Sequence, residues 1–325
     1  MAGAIVIGEH GGPETLKWRN WDLPDLGPDD VRIRNTAIGL NFIDVYHRTG
    51  LYPVPLPAVI GLESAGVVET VGENVGDFTP GDRVATATGG LGAYAEIRNA
   101  PAASLVKLPE HISDEIAAAA LLKGMTAHML IKSVYPVKAG QTIVVHAAAG
   151  GVGLILCQWA SGLGARVIGV AGTEEKAALA RAHGCEAVIV RSETVNIAEQ
   201  VKALTDGLGA PVVYDSVGAA TFTASLDSLC PRGMLVSYGN ASGPPPKLDL
   251  LDLSTRGSLF ATRPTLFTYV SAAEDLKAAA DDLFAEIGAG RVKINIDQRH
   301  SLKDAARAHR DLEARKTTGA TILLP

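Results

Sequence analysis

Apolar and polar positions alternate in short runs through the first third of the chain, at residues 4–7, 31–40, 64–71, 83–87 and 93–97, with glycine and proline between them. Period-two runs bounded by turn residues predict the strands of a compact β-barrel-like unit. At Ser113 the pattern changes. Ser113 is a predicted N-cap, with Asp114 and Glu115 in the first turn where carboxylates meet the positive end of a helix. From Thr142 the chain alternates regularly. Strands are predicted at 142–146, 166–170, 187–190 and 212–215, and helices at 151–163, 174–183 and 196–204. Strand and helix in alternation, joined by right-handed crossovers, predict a doubly wound parallel sheet, and the runs 234–238 and 258–262 bring it to about six strands. A proline-rich loop at 243–246 precedes further helices from Ala272 and from Lys303. The last run, 320–324, reads as a strand returning to the first unit. No internal repeat is present.

Length and composition narrow the class. On the usual length prior, 325 residues suffice for about two domains. A hydrophobic share of 47% against 20% charged residues describes a soluble protein with an ample core. The formal charge of −6, with no Lys/Arg block, gives nucleic acid no electrostatic foothold, and 5% aromatics leave little for base stacking. Cys157, Cys185 and Cys230 are far apart, odd in number and set in apolar or helical contexts, which predicts reduced core thiols and a cytoplasmic location. The opening Met-Ala-Gly-Ala-Ile-Val-Ile has no basic stretch and no long apolar run, so neither export nor a membrane anchor is expected.

The run from His146 to Gly153 carries the sharpest chemical signal. Ala148-Ala149-Gly150-Gly151-Val152-Gly153 keeps the second and third glycines of the G-x-G-x-x-G fingerprint and replaces the first by alanine. Gly150 lets the backbone approach a pyrophosphate, Gly153 lets the helix pack close to the strand, and the helix N-terminus offers unpaired N–H groups to the phosphates. The strand before and the helix after supply the context that the motif requires.

Together with this turn, several segments resemble one family across nearly the whole chain. They include Gly11-Gly-Pro-Glu14, Gly39-Leu-Asn-Phe-Ile-Asp44, Gly61-Leu-Glu-Ser-Ala-Gly-Val-Val68, Gly81-Asp-Arg-Val84, Lys123-Gly-Met-Thr126, Asp215-Ser-Val-Gly218, Ser237-Tyr-Gly-Asn240 and Ala261-Thr-Arg-Pro264. Most specific is residues 140–158, where the glycine turn is followed after four residues by Gln158. The chain resembles the zinc-independent quinone oxidoreductases, similar to zeta-crystallin, of the medium-chain dehydrogenase/reductase superfamily. That resemblance implies an α/β protein. A Rossmann doubly wound parallel sheet would bind NADPH over residues 124–265, and a GroES-like β-barrel-type catalytic domain would comprise 1–123 and 266–325.

The resemblance also implies site residues. Zinc-dependent relatives place a cysteine where this chain has Asn41 and Gly-His-Glu where it has Gly61-Leu62-Glu63, so no metal is expected. A quinone accepting hydride becomes a delocalised phenolate and does without a Lewis acid. Histidines such as His128 and His146 are expected to be solvated or hydrogen-bonded. The turn Ala149, Gly150, Gly151, Val152, Gly153 would hold the pyrophosphate. At the end of the second strand, Gly172 and Thr173 replace the acid that usually binds a ribose 2′-OH, and Lys176, with Arg191 and Arg315, would meet a 2′-phosphate. Ser216, Val217, Gly218, Tyr238, Gly239, Asn240, Ser242 and Arg263 would line the rest of the cofactor path. Asn41, Thr126 and Lys123 would stand on the nicotinamide side, fixing ring and acceptor carbonyl. Tyr46 and Tyr52, in a loop after Asn41, would contact a planar acceptor, with Tyr52 either donating a proton or forming a wall. No dedicated general acid stands out.

The implied activity is NADPH-dependent reduction of a quinone bound between two domains. An enone or alkenal reductase is the alternative, decided by residues 46–57. A non-catalytic NADPH- or nucleic-acid-binding protein of the crystallin kind is a minor one. The resemblance further implies a homodimer in which the edge run 258–262 pairs with its copy, covering an apolar strand that would otherwise pair indiscriminately.

Overall fold

Eleven consecutive residues, Asp30–Leu40, with burial that alternates at first and is continuous over the last four, form the strand around which the first part of the chain is built. The structure is a computed structural model and describes residues 1–325. The chain divides into two compact units. A barrel-type unit comprises Met1–Met125, Val270–Gly288 and Ile294–Pro325, and a parallel-sheet unit comprises Thr126–Tyr269 and Ala289–Lys293.

In chain order the elements are β1 (Ala2–Ile7), β2 (Lys17–Trp21), β3 (Asp30–Leu40), α1 (Phe42–Thr49), β4 (Ala58–Val59), β5 (Ser64–Val71), β6 (Arg83–Thr86), β7 (Ile97–Pro101), β8 (Leu105–Lys107) and α2 (Asp114–His128). The next are β9 (Thr142–His146), α3 (Gly151–Gly162), β10 (Arg166–Ala171), α4 (Glu174–Ala182), β11 (Ala187–Val190), α5 (Ile197–Ala203), β12 (Ala210–Asp215), α6 (Phe222–Asp227), β13 (Leu229–Ser237), α7 (Leu250–Thr255), β14 (Phe260–Thr262) and α8 (Leu266–Tyr269). The chain closes with α9 (Ala273–Gly288), β15 (Ile296–Ser301), α10 (Ala305–Glu313) and β16 (Ala320–Leu324).

In the barrel-type unit β3 pairs antiparallel with β5 on one side and with β7 and β16 in succession on the other. The order β15-β16-β3-β5-β6-β8 completes this sheet, and β2-β1-β4 forms a second. Ile5, Ile7, Ile38, Ile60, Tyr94 and Leu323 meet in one buried cluster. Each large side chain removed from water in this way contributes about 1.5–3 kcal/mol before entropy is counted. Helix α2 is buried all round at residues 117–121, as a helix of continuous apolar sequence must be.

The parallel-sheet unit has the order β11-β10-β9-β12-β13-β14, with every pair parallel. Its β-branched runs sit in the centre, where both faces of the sheet are covered. The order reverses between β9 and β12, the place where doubly wound sheets bind ligands beyond their carboxyl ends. Caps start the helices: Thr173 Oγ1 accepts from Lys176 N at 3.3 Å and Asn196 Oδ1 from Glu199 N at 3.3 Å.

Several expectations need correction. Tyr46 lies on α1, not in a loop, because Asn41-Phe-Ile-Asp44 starts a helix: the Asp44 carboxylate accepts from the Asn41 N–H at 2.9 Å, half of a capping box. Residues 93–97 are not a regular strand. Only Ala95 bridges to Ala4, while Ala93 N and Tyr94 N donate to Gly61 O and Ile60 O. Residues 266–269 and 289–293 group with the parallel-sheet unit instead of the barrel-type unit. For the latter the reason is visible. The Gln158 amide donates to Lys293 O at 3.0 Å and accepts from Lys293 N at 2.9 Å, so one side chain acts as a strand partner.

Candidate active site

The glycine turn lies between β9 and α3. Gly150 is the N-cap of α3 with extended backbone (φ −82°), and the Gly150 N–H donates to Ala147 O at 2.9 Å. A Cβ on Gly153 would sit 2.3 Å from Ala147 O, which is why this position takes no side chain. Gly150 is roomier, with Ala147 O at 3.2 Å as the nearest atom. At Gly172, beyond β10, a Cβ would meet nothing within 4 Å. The α3 N-terminus and this open strand end fit a dinucleotide: N–H groups for a pyrophosphate, and space for the ribose beyond. No carboxylate belongs to the end of β10 itself. Glu174, in the first turn of α4, is directed to Arg181 at 3.8 Å. Lys176 and Arg191 follow β10 and β11 in this same unit, and Arg191 N donates to Ala171 O at 2.8 Å.

The remaining strand ends converge on one loop system. After β12, Asp215 accepts from Val217 N (2.7 Å), Gly218 N (3.1 Å), Thr221 Oγ1 (2.7 Å) and Ser225 Oγ (2.7 Å). Four donors hold the turn Ser216-Val217-Gly218 rigidly, and Gly218 needs its positive φ of 89°. His146, fully buried at the end of β9, adds its Nε2 to Ser225 Oγ at 3.0 Å, and burial holds its pKa below the usual imidazole value. It serves this network, and no group of three His, Cys, Asp or Glu side chains is gathered to hold a metal ion. Arg263, just past β14, donates from Nη1 to Ser237 O (3.2 Å) and Gly239 O (3.0 Å) at the end of β13. With its amide turned to satisfy both ends, Asn240 accepts from Arg263 Nη2 at 3.1 Å. Ser242 Oγ donates to Val217 O at 2.8 Å, which ties the loops after β12 and β13 together. Thr126, on α2, and Tyr238, after β13, also belong to this unit, whereas Arg315 belongs to the barrel-type unit, at a positive φ of 58° beyond α10.

The barrel-type unit gathers Asn41 and Lys123 around a residue to which the sequence pattern assigned no role, Glu63. Its carboxylate is wholly buried and accepts from Asn41 Nδ2 (2.8 Å), Leu122 N (2.7 Å) and Lys123 Nζ (3.0 Å). A carboxylate only accepts, so the Asn41 amide nitrogen must face it and the amide oxygen must face away. Lys123, 6% exposed, is neutralised by this ion pair. Nearby, Tyr46 packs edge-on against Tyr52 at 5.2 Å, and Tyr52 N donates to Tyr46 O.

A second buried chain of polar groups continues from Asn41. Arg48 donates to Gly11 O, to both Glu313 oxygens (2.9 and 2.7 Å) and to His309 Nδ1 at 3.2 Å. A guanidinium has only donors, so His309 Nδ1 accepts and Nε2 carries the proton. His309 Nε2–H then donates to Tyr94 Oη at 3.0 Å, and Tyr94 O–H donates to Asp44 Oδ2 at 3.0 Å. Burial pushes the Asp44 carboxyl up to about 7, against the lowering effect of its Asn41 and Tyr94 donors. Burial, with the Arg48 charge beside it, pushes His309 down to about 3. Nothing local marks Tyr94, His309 or Arg48 as partners; Asp44 alone had a signal, in its spacing from Asn41.

Known proteins match both halves of the chain. Residues 27–110 match the family described as alcohol dehydrogenase GroES-like domain, and residues 151–285 match the one described as zinc-binding dehydrogenase. The two together define a two-domain dehydrogenase. A quinone oxidoreductase of Pseudomonas aeruginosa is 53% identical with 100% of each chain covered, and a 2-haloacrylate reductase of a Burkholderia species is 45% identical with 100% of this chain and 99% of the relative covered. The crystal structure of Escherichia coli quinone oxidoreductase complexed with NADPH has a TM-score of 0.97 at 44% identity, with 100% of each chain covered. The chain belongs to the quinone oxidoreductase family of the medium-chain dehydrogenase/reductase superfamily.

Proposed function

We propose that this protein is an NADPH-dependent quinone reductase that works without a metal. The observation that carries this reading is the Glu63 cluster. Asn41 and Leu62 stand where zinc-dependent relatives keep two ligands, and Glu63 is already satisfied by Asn41, Leu122 and Lys123. Bound NADPH supplies the hydride, and with one proton from water a quinone becomes a hydroquinone. The chain's part is to bind and to orient. The α3 N-terminus at Gly150–Gly153 receives the pyrophosphate, and Lys176 and Arg191 receive the 2′-phosphate. Ser216, Gly218, Tyr238, Asn240, Ser242 and Arg263 guide the cofactor, while Asn41 and Thr126 fix its reacting end. Tyr46 and Tyr52 offer an aromatic surface to a planar acceptor.

The second reading is reduction of an activated C=C bond; one relative, 45% identical, is a 2-haloacrylate reductase. NADPH consumption with 1,4-benzoquinone and with a 2-alkenal, each with and without a chelator, separates the two. Chelator-resistant turnover of the quinone is expected. Turnover of the alkenal alone would favour the second reading, and chelator-sensitive turnover would remove the metal-free mechanism.

The same reading makes the protein a cytoplasmic homodimer. Strand β14 ends the parallel sheet with Phe260 57% exposed, an edge that a second copy would cover. Cysteines that are all free, two of them buried, suit a reducing compartment. No helix is long and apolar enough to cross a membrane.

A further inference from the structure

The direction of every hydrogen bond from Arg48 to Asp44 is dictated by donor and acceptor chemistry, and the chain ends on a single oxygen. Asp44 Oδ2 receives both Tyr94 O–H and the Asn41 N–H. Its other oxygen, Oδ1, is buried with no hydrogen-bond partner. The carboxyl is thus held firmly at one end and left unsatisfied at the other. Helix α1 needs only a first-turn acceptor at this position, and an exposed carboxylate would serve it equally. Burying the group beneath three aligned side chains has another use.

We propose that Asp44 is a positioning residue for hydride transfer, holding Asn41 in place through its backbone N–H, and that the one-way chain Arg48–His309–Tyr94 aligns the Asp44 carboxyl for that task. This rests on the reading that Asn41 stands at the reacting end of the cofactor. Asn41 is gripped at two points: its side-chain nitrogen by Glu63 and its backbone nitrogen by Asp44. Hydrogen bonds to an ionised acceptor are roughly twice as strong as neutral ones, so the Asp44 grip tightens when its carboxyl loses a proton.

The charged and titratable groups around Asp44 single it out. Its own helix carries Arg48, whose guanidinium is held by Glu313 and His309, and His47, whose pKa burial lowers. From the segment before β5 comes Glu63 and from α2 Lys123, already paired with each other. Tyr94 is pushed well above the usual phenol value by burial and by the Asp44 charge. From α10 come His309, kept neutral, and Glu313, held by Arg48 at 2.7 Å. Asp44 is the member of this set that changes charge near neutrality.

The test compares wild type, Asp44→Asn, Tyr94→Phe and Asn41→Ala between about pH 5.5 and 8.5, the window that brackets neutrality. Two quantities are read: kcat with saturating 1,4-benzoquinone, and the NADPH dissociation constant from nicotinamide fluorescence, which needs no turnover. Asparagine keeps an oxygen for both donors, so Asp44→Asn preserves the fold and removes only the titration. In the wild type, kcat rises and NADPH binding tightens in a one-proton step of about fivefold through neutral pH. Asp44→Asn is flat at the acid-limb value. Tyr94→Phe removes a donor to the carboxylate and moves the midpoint up by about one unit, which a purely structural role for Asp44 would not do. A wild type without the step, an Asp44→Asn variant that retains it, or an unmoved midpoint in Tyr94→Phe overturns the proposal. Asn41→Ala separates the layers. If it leaves kcat and NADPH binding unchanged, the placement of Asn41 at the reacting end fails and the proposal with it. If it impairs both while Asp44→Asn keeps the wild-type profile, only the proposal fails.

Discussion

Asp44 and His309 lie on either side of one hydroxyl: Tyr94 Oη is 3.0 Å from Asp44 Oδ2 and 3.0 Å from His309 Nε2. Burial drives their pKa values in opposite directions, Asp44 up to about 7 and His309 down to about 3. In the unfolded chain at mildly acid pH the imidazole holds the proton and the carboxylate is bare. Folding exchanges these states, so the proton sits on the acid and the base is neutral. Two buried charges become two neutral groups, which avoids the desolvation cost of an ion pair.

The exchange gives stability a masked pH dependence. Folded Asp44 keeps its proton up to about 7, whereas the unfolded group loses it near 4, so between those values stability falls as pH rises, by about 1.4 kcal/mol per unit. Folded His309 stays neutral down to about 3, whereas the unfolded group protonates below about 6.5, so between those values stability rises with pH at the same slope. In the wild type the two cancel over most of the acid range. Asp44→Asn should lose stability as pH falls below about 6.5, and His309→Gln should lose it as pH rises from about 4 to 7. Urea unfolding at four pH values checks this, and parallel profiles for all three proteins would contradict it.

Removing one member of the Glu63–Lys123 pair leaves the other charge buried. Glu63→Gln should cost about 3–5 kcal/mol of unfolding free energy, and adding Lys123→Met should recover most of it. Denaturant melts of the two single variants and the double variant give the coupling directly. Strictly additive losses would mean that the two side chains act independently.

Gly150 and Gly153 should fail differently. Gly150→Ala meets only Ala147 O, at 3.2 Å, and should fold normally while binding NADPH about tenfold more weakly, since its methyl stands where the pyrophosphate approaches. Gly153→Ala places a methyl 2.3 Å from Ala147 O and should cost about 1–3 kcal/mol of stability. Thermal melts paired with cofactor titrations distinguish them; equal behaviour in both assays would count against the separate roles.

Lys176→Glu should shift the ratio of NADPH to NADH affinity by about a hundredfold toward NADH. A carboxylate repels a 2′-phosphate yet can accept from a 2′-OH. Titration of both cofactors on the same preparations is the measurement. If the two weaken equally, Lys176 does not meet the phosphate.

Phe260→Pro removes a ladder N–H from the edge strand β14 and should convert a dimer to a monomer at micromolar concentration. Sedimentation equilibrium decides. A wild type that sediments as a monomer removes the dimer, and a folded, dimeric variant moves the interface away from β14.

Sequence alone determined the features that depend on near neighbours. The strand–turn–helix around Gly150, the alternation that builds the parallel sheet and the Ser113 cap of α2 each rest on residues a few positions apart, so side-chain periodicity and backbone conformation express them directly. The missing acid after β10 was readable for the same reason. The buried polar groups of the barrel-type unit were decided only by tertiary structure. Glu63 meets Lys123 across 60 residues and Tyr94 meets His309 across 215. Asp44 and His309 depart from their usual pKa values because packing removes water from both, and no local pattern encodes that burial. Chain chemistry supplied the donors and acceptors; the fold decided which of them would face one another without solvent, and therefore which carry charge.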